Sequence, residues 1–226
     1  MSHLDHLSSL IDLQNLAVVD VGAGNGKFAR AFAKRGAQVV GIEIDEEKVA
    51  IAQQAAHADV EIRLGRGEDL PIDDASTDLV CFMFSFHHIP LDLQEEALCE
   101  ARRILKPTGR MHVVEPRPFG SMTEVMIDLV DESHVLNHSQ RRLDELAEQG
   151  HFSRVSQKEY AISLRTPDFE TFLNGIIAVD PNRAEKLPSV RSDVEAAFHR
   201  VANKADDGFT LDQPCVAHHF KKITHP

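Results

Sequence analysis

Three glycines at alternate positions, Asp20-Val-Gly22-Ala-Gly24-Asn-Gly26, make the segment best suited to chemistry. They follow a short apolar run, Leu16 to Val21, and open an amphipathic one. A ligand backbone that approaches the carboxyl end of a strand is obstructed by any Cβ, and glycine removes the obstruction. Glu43 stands seventeen residues after Gly26, at the end of the next apolar run. A carboxylate at that place can take both hydroxyls of an adenosine ribose. The dinucleotide fingerprint GxGxxG would put its third glycine at position 27, which is Lys27 here, so the spacing disfavours a nicotinamide-dependent oxidoreductase.

Histidines are the other chemically capable residues. His87 and His88 follow a strongly apolar run, where they can orient or deprotonate a substrate or simply shape a loop. Glu115 and Arg117 end a later run and fit substrate contact, or equally a surface ion pair or a loop anchor. His134 and His138 have the i, i+4 spacing of a metal pair, but no third ligand accompanies them. His218 and His219 are adjacent on a predicted strand and so point to opposite faces. No metal site is expected.

The elements that must position these residues alternate. Strands are predicted at Leu16–Val21, Gln38–Glu43, Val60–Leu64, Asp78–Ser85 and Arg110–Glu115. Helices are predicted at Lys27–Lys34, Glu46–Ala56 and Leu93–Leu105, the last closed by Lys106-Pro107-Thr108-Gly109. Asp78 to Ser85 is almost wholly apolar, as suits a central parallel strand covered on both faces. Alternation without hairpin signals predicts an α/β, doubly wound, mostly parallel sheet with helices on both faces. Beyond Glu115 the pattern predicts a helix around Met122–Val130, helices at Gln140–Gln149, Asp168–Ala178 and Arg191–Ala202, and strands at Phe152–Leu164 and Gln213–Ile223. The late helices sit between two strands of one sheet, so residues 1–226 read as a single domain with one core.

Composition bounds the function classes. The chain has 226 residues, 24 Lys+Arg against 36 Asp+Glu, and a formal charge of −12. That balance argues against nucleic acid and anionic membrane as partners. Three cysteines without a CxxC pair, and a start lacking signal-peptide blocks, predict a soluble cytoplasmic protein with reduced thiols.

The motifs taken together resemble the class I S-adenosylmethionine-dependent methyltransferases, in the branch that acts on small molecules. The glycine segment looks like that family's (D/E)xGxGxG. Val39-Val-Gly-Ile-Glu-Ile-Asp45 is similar to its second strand, and Gly67-Glu-Asp-Leu-Pro71 with Asp73-Asp-Ala-Ser-Thr-Asp78 to its adenine loop and fourth strand. Phe86-His-His-Ile89, Glu100-Ala-Arg-Arg-Ile-Leu-Lys-Pro107 and Val113-Val-Glu-Pro116 match later signatures. The likeness spans about residues 14 to 116 in register. It implies a Rossmann-like seven-stranded sheet that binds S-adenosylmethionine and releases S-adenosylhomocysteine.

The roles it implies run residue by residue. Asp20 faces the methionine amino group, while Gly22, Gly24 and Gly26 line methionine and ribose. Glu43 takes the ribose hydroxyls, Ile44 lies beside the adenine, Gly67 and Glu68 meet its edge, and Ser85 sits near the methyl group. His87 and His88 are the candidate catalytic residues. Arg66 and Thr108 depart from the family pattern, in the adenine loop and in a turn. Residues 1–116 form the cofactor-binding half and 117–226 the acceptor side. A lid helix is expected at about 121–131, and a helical insertion at about 167–207 suits a second lid or a homodimer surface. Methyl transfer to a small-molecule acceptor is the main reading. A catalytically silent sensor or partner subunit that binds S-adenosylmethionine or S-adenosylhomocysteine is the alternative.

Overall fold

The computed structural model describes residues 3–55 and 57–224. Ala56, the last residue of one predicted helix, lies outside the described residues. The chain divides into two compact units: Met1–Glu115 with His138–Lys158 and Val216–Pro226, and Pro116–Asn137 with Glu159–Cys215.

In the first unit, β1 (Ala17–Val21), β2 (Gln38–Glu43), β3 (Val60–Leu64), β4 (Thr77–Met83) and β5 (Leu105–Pro116) alternate with α2 (Lys27–Ala33), α3 (Glu46–Gln54) and α4 (Gln94–Ile104). α1 (His3–Leu10) precedes them. The sheet order is β3-β2-β1-β4-β5-β8-β6, with β6 at Phe152–Thr166 and β8 at Gly208–Lys222. Strands β1 to β5 pair in parallel. The predicted α/β Rossmann-like architecture is therefore observed, with seven strands along the path and a short β7 (Asn203–Ala205) antiparallel to β8.

β4 shows why the order holds. Leu79, Val80, Cys81 and Phe82 are all fully buried, as a strand covered on both faces requires. Each large side chain removed from water in this way stabilises the fold by roughly 1.5–3 kcal/mol. On the face carrying Val80 and Phe82 lie Val19, Val21, Phe86, Leu98, Ile104, Val113 and Phe220. The predicted helix stop is observed, since α4 ends at Ile104, and Lys106–Gly109 themselves fall inside β5. Thr77 pairs with Leu105 and Leu79 with Arg110, so the turn residues form a bulge opposite one residue of β4.

The second unit has its own hydrophobic cluster, which the single-core expectation did not foresee. Val125, Leu129, Phe169, Phe172, Leu173, Val194, Phe198 and Leu211 pack together. They come from α5 (Ser121–Met126) and its following turn, α7 (Phe169–Val179), α8 (Arg183–Val201) and β8. The expected lid helix at 121–131 is helical only through Met126. α6 (Ser133–Glu148) and α8 begin earlier than predicted, α8 with Pro188 inside it. Among the described residues, no helix is long and apolar enough to cross a membrane.

A buried group of histidines ties α1, β5 and β8 in the first unit. His219 Nδ1 lies 3.3 Å from His112 Nδ1, and the His6 ring is 5.9 Å from that of His112. His218 Nε2 meets Gln140 Oε1 at 3.0 Å. Burial lowers the pKa of His112 well below the usual value, with neighbouring histidines adding to it. His219 is lowered to about 4 by burial and then by the Arg110 charge. His6 is lowered by burial and by Lys158. The unfolded chain thus binds more protons than the folded one once the pH falls below about 6.5, and stability rises with pH in that range. Thermal unfolding should show the melting temperature dropping as pH falls from about 6.5 toward 4. A His112→Asn/His219→Asn double variant should lose much of that slope, and an unchanged slope would exclude these histidines as its source.

Candidate functional site

The parallel registers bring the chemically capable residues to one edge. Val21 pairs with Ile42 and with Phe82, Glu43 with Leu64, and Met83 with Val114. The residues that follow these positions, 22–26, 44, 65–68, 84–88 and 115, therefore all leave the carboxyl ends of neighbouring strands. The chain winds one way through β1, β2 and β3 and the other way through β4 and β5. The crevice at that reversal, between β1 and β4, is where open α/β sheets bind ligands.

The first turn out of β1 runs through left-handed backbone, with φ of 74° at Gly22 and 56° at Gly24. A Cβ on Gly22 would come within 2.4 Å of the Ser85 Cβ, so β1 and the end of β4 can approach this closely only without one. Gly24 differs, because a Cβ there would meet no protein atom within 4 Å. Gly26, at φ 77°, caps the start of α2. Ser85 is buried, and its hydroxyl donates to the Val21 carbonyl at 2.5 Å. Phe84 has φ 61°, a strained conformation for a bulky residue that costs on the order of 1–3 kcal/mol. Its ring packs against His3 at 4.8 Å and Phe28 at 6.1 Å, which holds it there.

Glu43 is buried at the end of β2 and takes three backbone amides. Oε2 accepts from Gly24 at 2.7 Å, and Oε1 accepts from Ile44 at 2.9 Å and Asp45 at 3.1 Å. A carboxylate has about four acceptor positions, so this one pins the glycine turn as well as facing a ligand. That second task has no signature in the local sequence pattern. Ile44 beside it is 60% exposed, an apolar surface open to a flat ring. Gly67 approaches Ile89 and Val21, and Glu68 lies 3.5 Å from Arg66. Asp45, next in line, caps α3 by accepting from Glu47 and Lys48.

Asp20 is the most unusual group on the edge. Its side chain is buried, and neither carboxylate oxygen closes a hydrogen bond. Burial raises its pKa to about 7; the nearby Ala29 amide offsets part of the effect, and the Glu43 charge adds to it. A buried unpaired carboxylate is costly, and a cation placed against it removes the cost.

His87 and His88 lie in a one-turn 3-10 helix, Phe86–His88, directly after β4. Their rings are 4.0 Å apart, with His87 buried and His88 exposed. His87 Nδ1 meets Glu115 Oε2 at 2.5 Å, and the other oxygen of Glu115 accepts from the Phe86 amide at 3.1 Å. Glu115 is fully buried, which excludes a surface ion pair there and agrees with the loop-anchor reading. Arg117 does form an ion pair, at 3.5 Å with the more exposed Glu159.

Asp20 supplies a test on stability. Between about pH 4 and 7 the folded chain keeps this proton while the unfolded chain has lost it, so the group opposes folding increasingly as pH rises. Asp20→Asn should therefore raise the melting temperature at alkaline pH, by at most about 4 kcal/mol of stability, and change it little near pH 4. Equal melting curves at both extremes would show that the carboxylate is compensated in the free protein.

Comparison with known proteins agrees with this geometry. The methyltransferase-domain family matches residues 19–113. Demethylmenaquinone methyltransferase of Tropheryma whipplei is 39% identical over 107 residues, 45% of this chain and 44% of that protein. Ubiquinone biosynthesis O-methyltransferase of Xanthomonas oryzae is 33% identical over 112 residues, 48% and 46% respectively. The chain thus aligns with somewhat under half the length of the curated relatives it matches. A candidate methyltransferase of Bacillus halodurans superposes with a TM-score of 0.67 at 20% identity, covering 99% of this chain and all of that one. Residues 19–113 thus match the methyltransferase-domain family, and the chain as a whole shares its Rossmann-like fold with the Bacillus halodurans structure.

Proposed function

We propose that this protein transfers a methyl group from S-adenosylmethionine to a small-molecule acceptor. The observation that carries the reading is the β1–β4 crevice. There a buried, unpartnered Asp20 and an open position over Gly24 stand beside the Glu43 carboxylate. A cationic nucleoside has the complementary groups: an ammonium for Asp20, a ribose diol for Glu43, and a flat base for exposed Ile44 and the Gly67–Glu68 loop. Gly22 and Gly26 shape the turn, and Ser85 lines its β4 side.

When bound, S-adenosylmethionine supplies an already activated methyl group on a sulfonium. The protein's task is then to orient the acceptor in line and exclude water, which can be worth ~7–11 kcal/mol. In this reading the acceptor's identity is set by residues 117–226, which carry α5 and the helical insertion of α7 and α8. Met122 and Met126 there carry adaptable thioethers. The quinone-pathway names of the relatives support a small aromatic acceptor over a macromolecule. The acidic charge supports a reading without nucleic acid or membrane as partner, and three cysteines without a CxxC pair support a cytoplasmic setting.

Calorimetric titration with S-adenosylhomocysteine tests the reading. One site per chain is expected, with affinity falling as pH drops below about 7 because Asp20 must then lose a proton on binding. Gly24→Leu should remain folded at a cost of about 1–2 kcal/mol for a side chain at φ 56°, since its Cβ meets no protein atom within 4 Å, yet lose at least about tenfold in affinity by filling the ligand's place. No heat at millimolar ligand, or full affinity in the Gly24→Leu variant, would overturn the proposal.

A further inference from the structure

We propose that the groove between α4 and α6 is a binding site for a small aromatic carboxylate, with Arg102 as the partner of its anionic end. The site goes beyond the methyl-transfer reading and shares no residue with the β1–β4 crevice. On α4, Glu95, Leu98, Cys99 and Arg102 follow one another at helical spacing along one face. Arg142 and Leu146 lie one turn apart on α6, and Phe152 opens β6. These residues line a cavity of about 140 Å³. A cavity of ~150 Å³ walled by apolar side chains holds a benzene ring, so the space suits one ring.

The lining divides into an apolar floor and a charged rim. Leu98, Leu146 and Phe152 are buried and offer a ring its contacts, while Cys99 and His151 are exposed and leave the groove open to solvent. The two arginines of the rim differ. Arg142 is already matched, since it meets Glu95 and Glu145, both at 3.2 Å. Arg102 makes no ion pair among the described residues, and its Nε is buried without a hydrogen-bond partner. The acids nearest to it in the fold are engaged elsewhere, Glu100 and Asp74 both by Arg103. Lys222 adds a second positive charge nearby. Burial and then the Arg102 charge lower its pKa, with Asp74 offsetting part of the effect.

A half-buried guanidinium with an unfilled donor calls for an acceptor, and its planar fork matches a carboxylate. Glu95 sets the limit on charge. A phosphate dianion, or a second carboxylate on the ring, would face that acid across the groove. The occupant that fits is therefore a monoanion with one flat apolar end.

Benzoate is the probe, with benzyl alcohol as its uncharged counterpart and acetate as the anion without a ring. Calorimetry on the full chain should show one benzoate site with a Kd below about 1 mM. Benzyl alcohol and acetate should each bind at least about tenfold more weakly. Cys99 reports the place of binding, because it is exposed while Cys81 and Cys215 are buried. Its alkylation by iodoacetamide, located by mass spectrometry, should slow about tenfold with benzoate at about ten times its Kd. Acetate at the same concentration should leave that rate unchanged. Arg102→Met keeps a long apolar side chain and removes the charge, so benzoate affinity should fall at least about tenfold while benzyl alcohol binds as before. The native-chain measurements decide whether or not that variant folds. If Arg102 is only a solvated surface charge, benzoate and benzyl alcohol will bind alike, which overturns the inference. No saturable binding at millimolar benzoate, or binding that leaves Cys99 unprotected, would overturn it equally.

Discussion

Between Asp20 and Lys27 the backbone must leave the central strand, turn, and enter α2 while staying close to β4. It does so through left-handed residues at Gly22, Gly24 and Gly26, with no room for a side chain on the first of them. That constraint organises the edge. Because Gly22 has no Cβ, Ser85 can reach the Val21 carbonyl, and the ends of β1 and β4 close up. Because the Gly24 amide points at Glu43, the turn is fastened to β2 as well. One short segment thus connects three strand ends and leaves open the place where a ligand would lie.

The electrostatics of the edge follow from the same closure. Drawing β1, β2 and β4 together buries Asp20 with no hydrogen bond of its own, while Glu43 is satisfied by three amides. Two carboxylates of one crevice therefore differ. Glu43 gives three acceptor positions to the backbone and keeps the remainder for a ligand, while Asp20 is held at a pKa near neutrality, prepared to ionise against a cation. The buried histidines on the β5–β8 side pull the pH dependence of stability the other way, since they resist protonation rather than ionisation. Stability and ligand affinity should therefore respond to acid through different groups.

Much of this was legible in the sequence, and the divide between what was and was not is physical. Strands β1 to β5, the glycine turn and Glu43 each follow from local pattern: apolar runs, glycine spacing, an acid at a strand end. Pairs that only the sheet register creates were not legible. His87 and Glu115 are 28 residues apart and meet because β4 and β5 are neighbours, although both residues had been placed at the ends of those strands. His112 and His219, 107 residues apart, meet for the same reason across β5 and β8. The turn chemistry of Lys106–Gly109 was read correctly as a break but proved to be a bulge inside a longer strand. The cluster formed by α5, α7 and α8 was missed because amphipathic helices reveal which face is apolar, not what covers it.

The account stands most directly on where a nucleoside sits. A crystal structure of the chain grown with S-adenosylhomocysteine at alkaline pH should place the ribose hydroxyls on the Glu43 carboxylate. The amino group should lie against Asp20, and the thioether should pass over Gly24 toward Ser85. A nucleoside bound elsewhere, or this crevice left empty at saturating ligand, would contradict it.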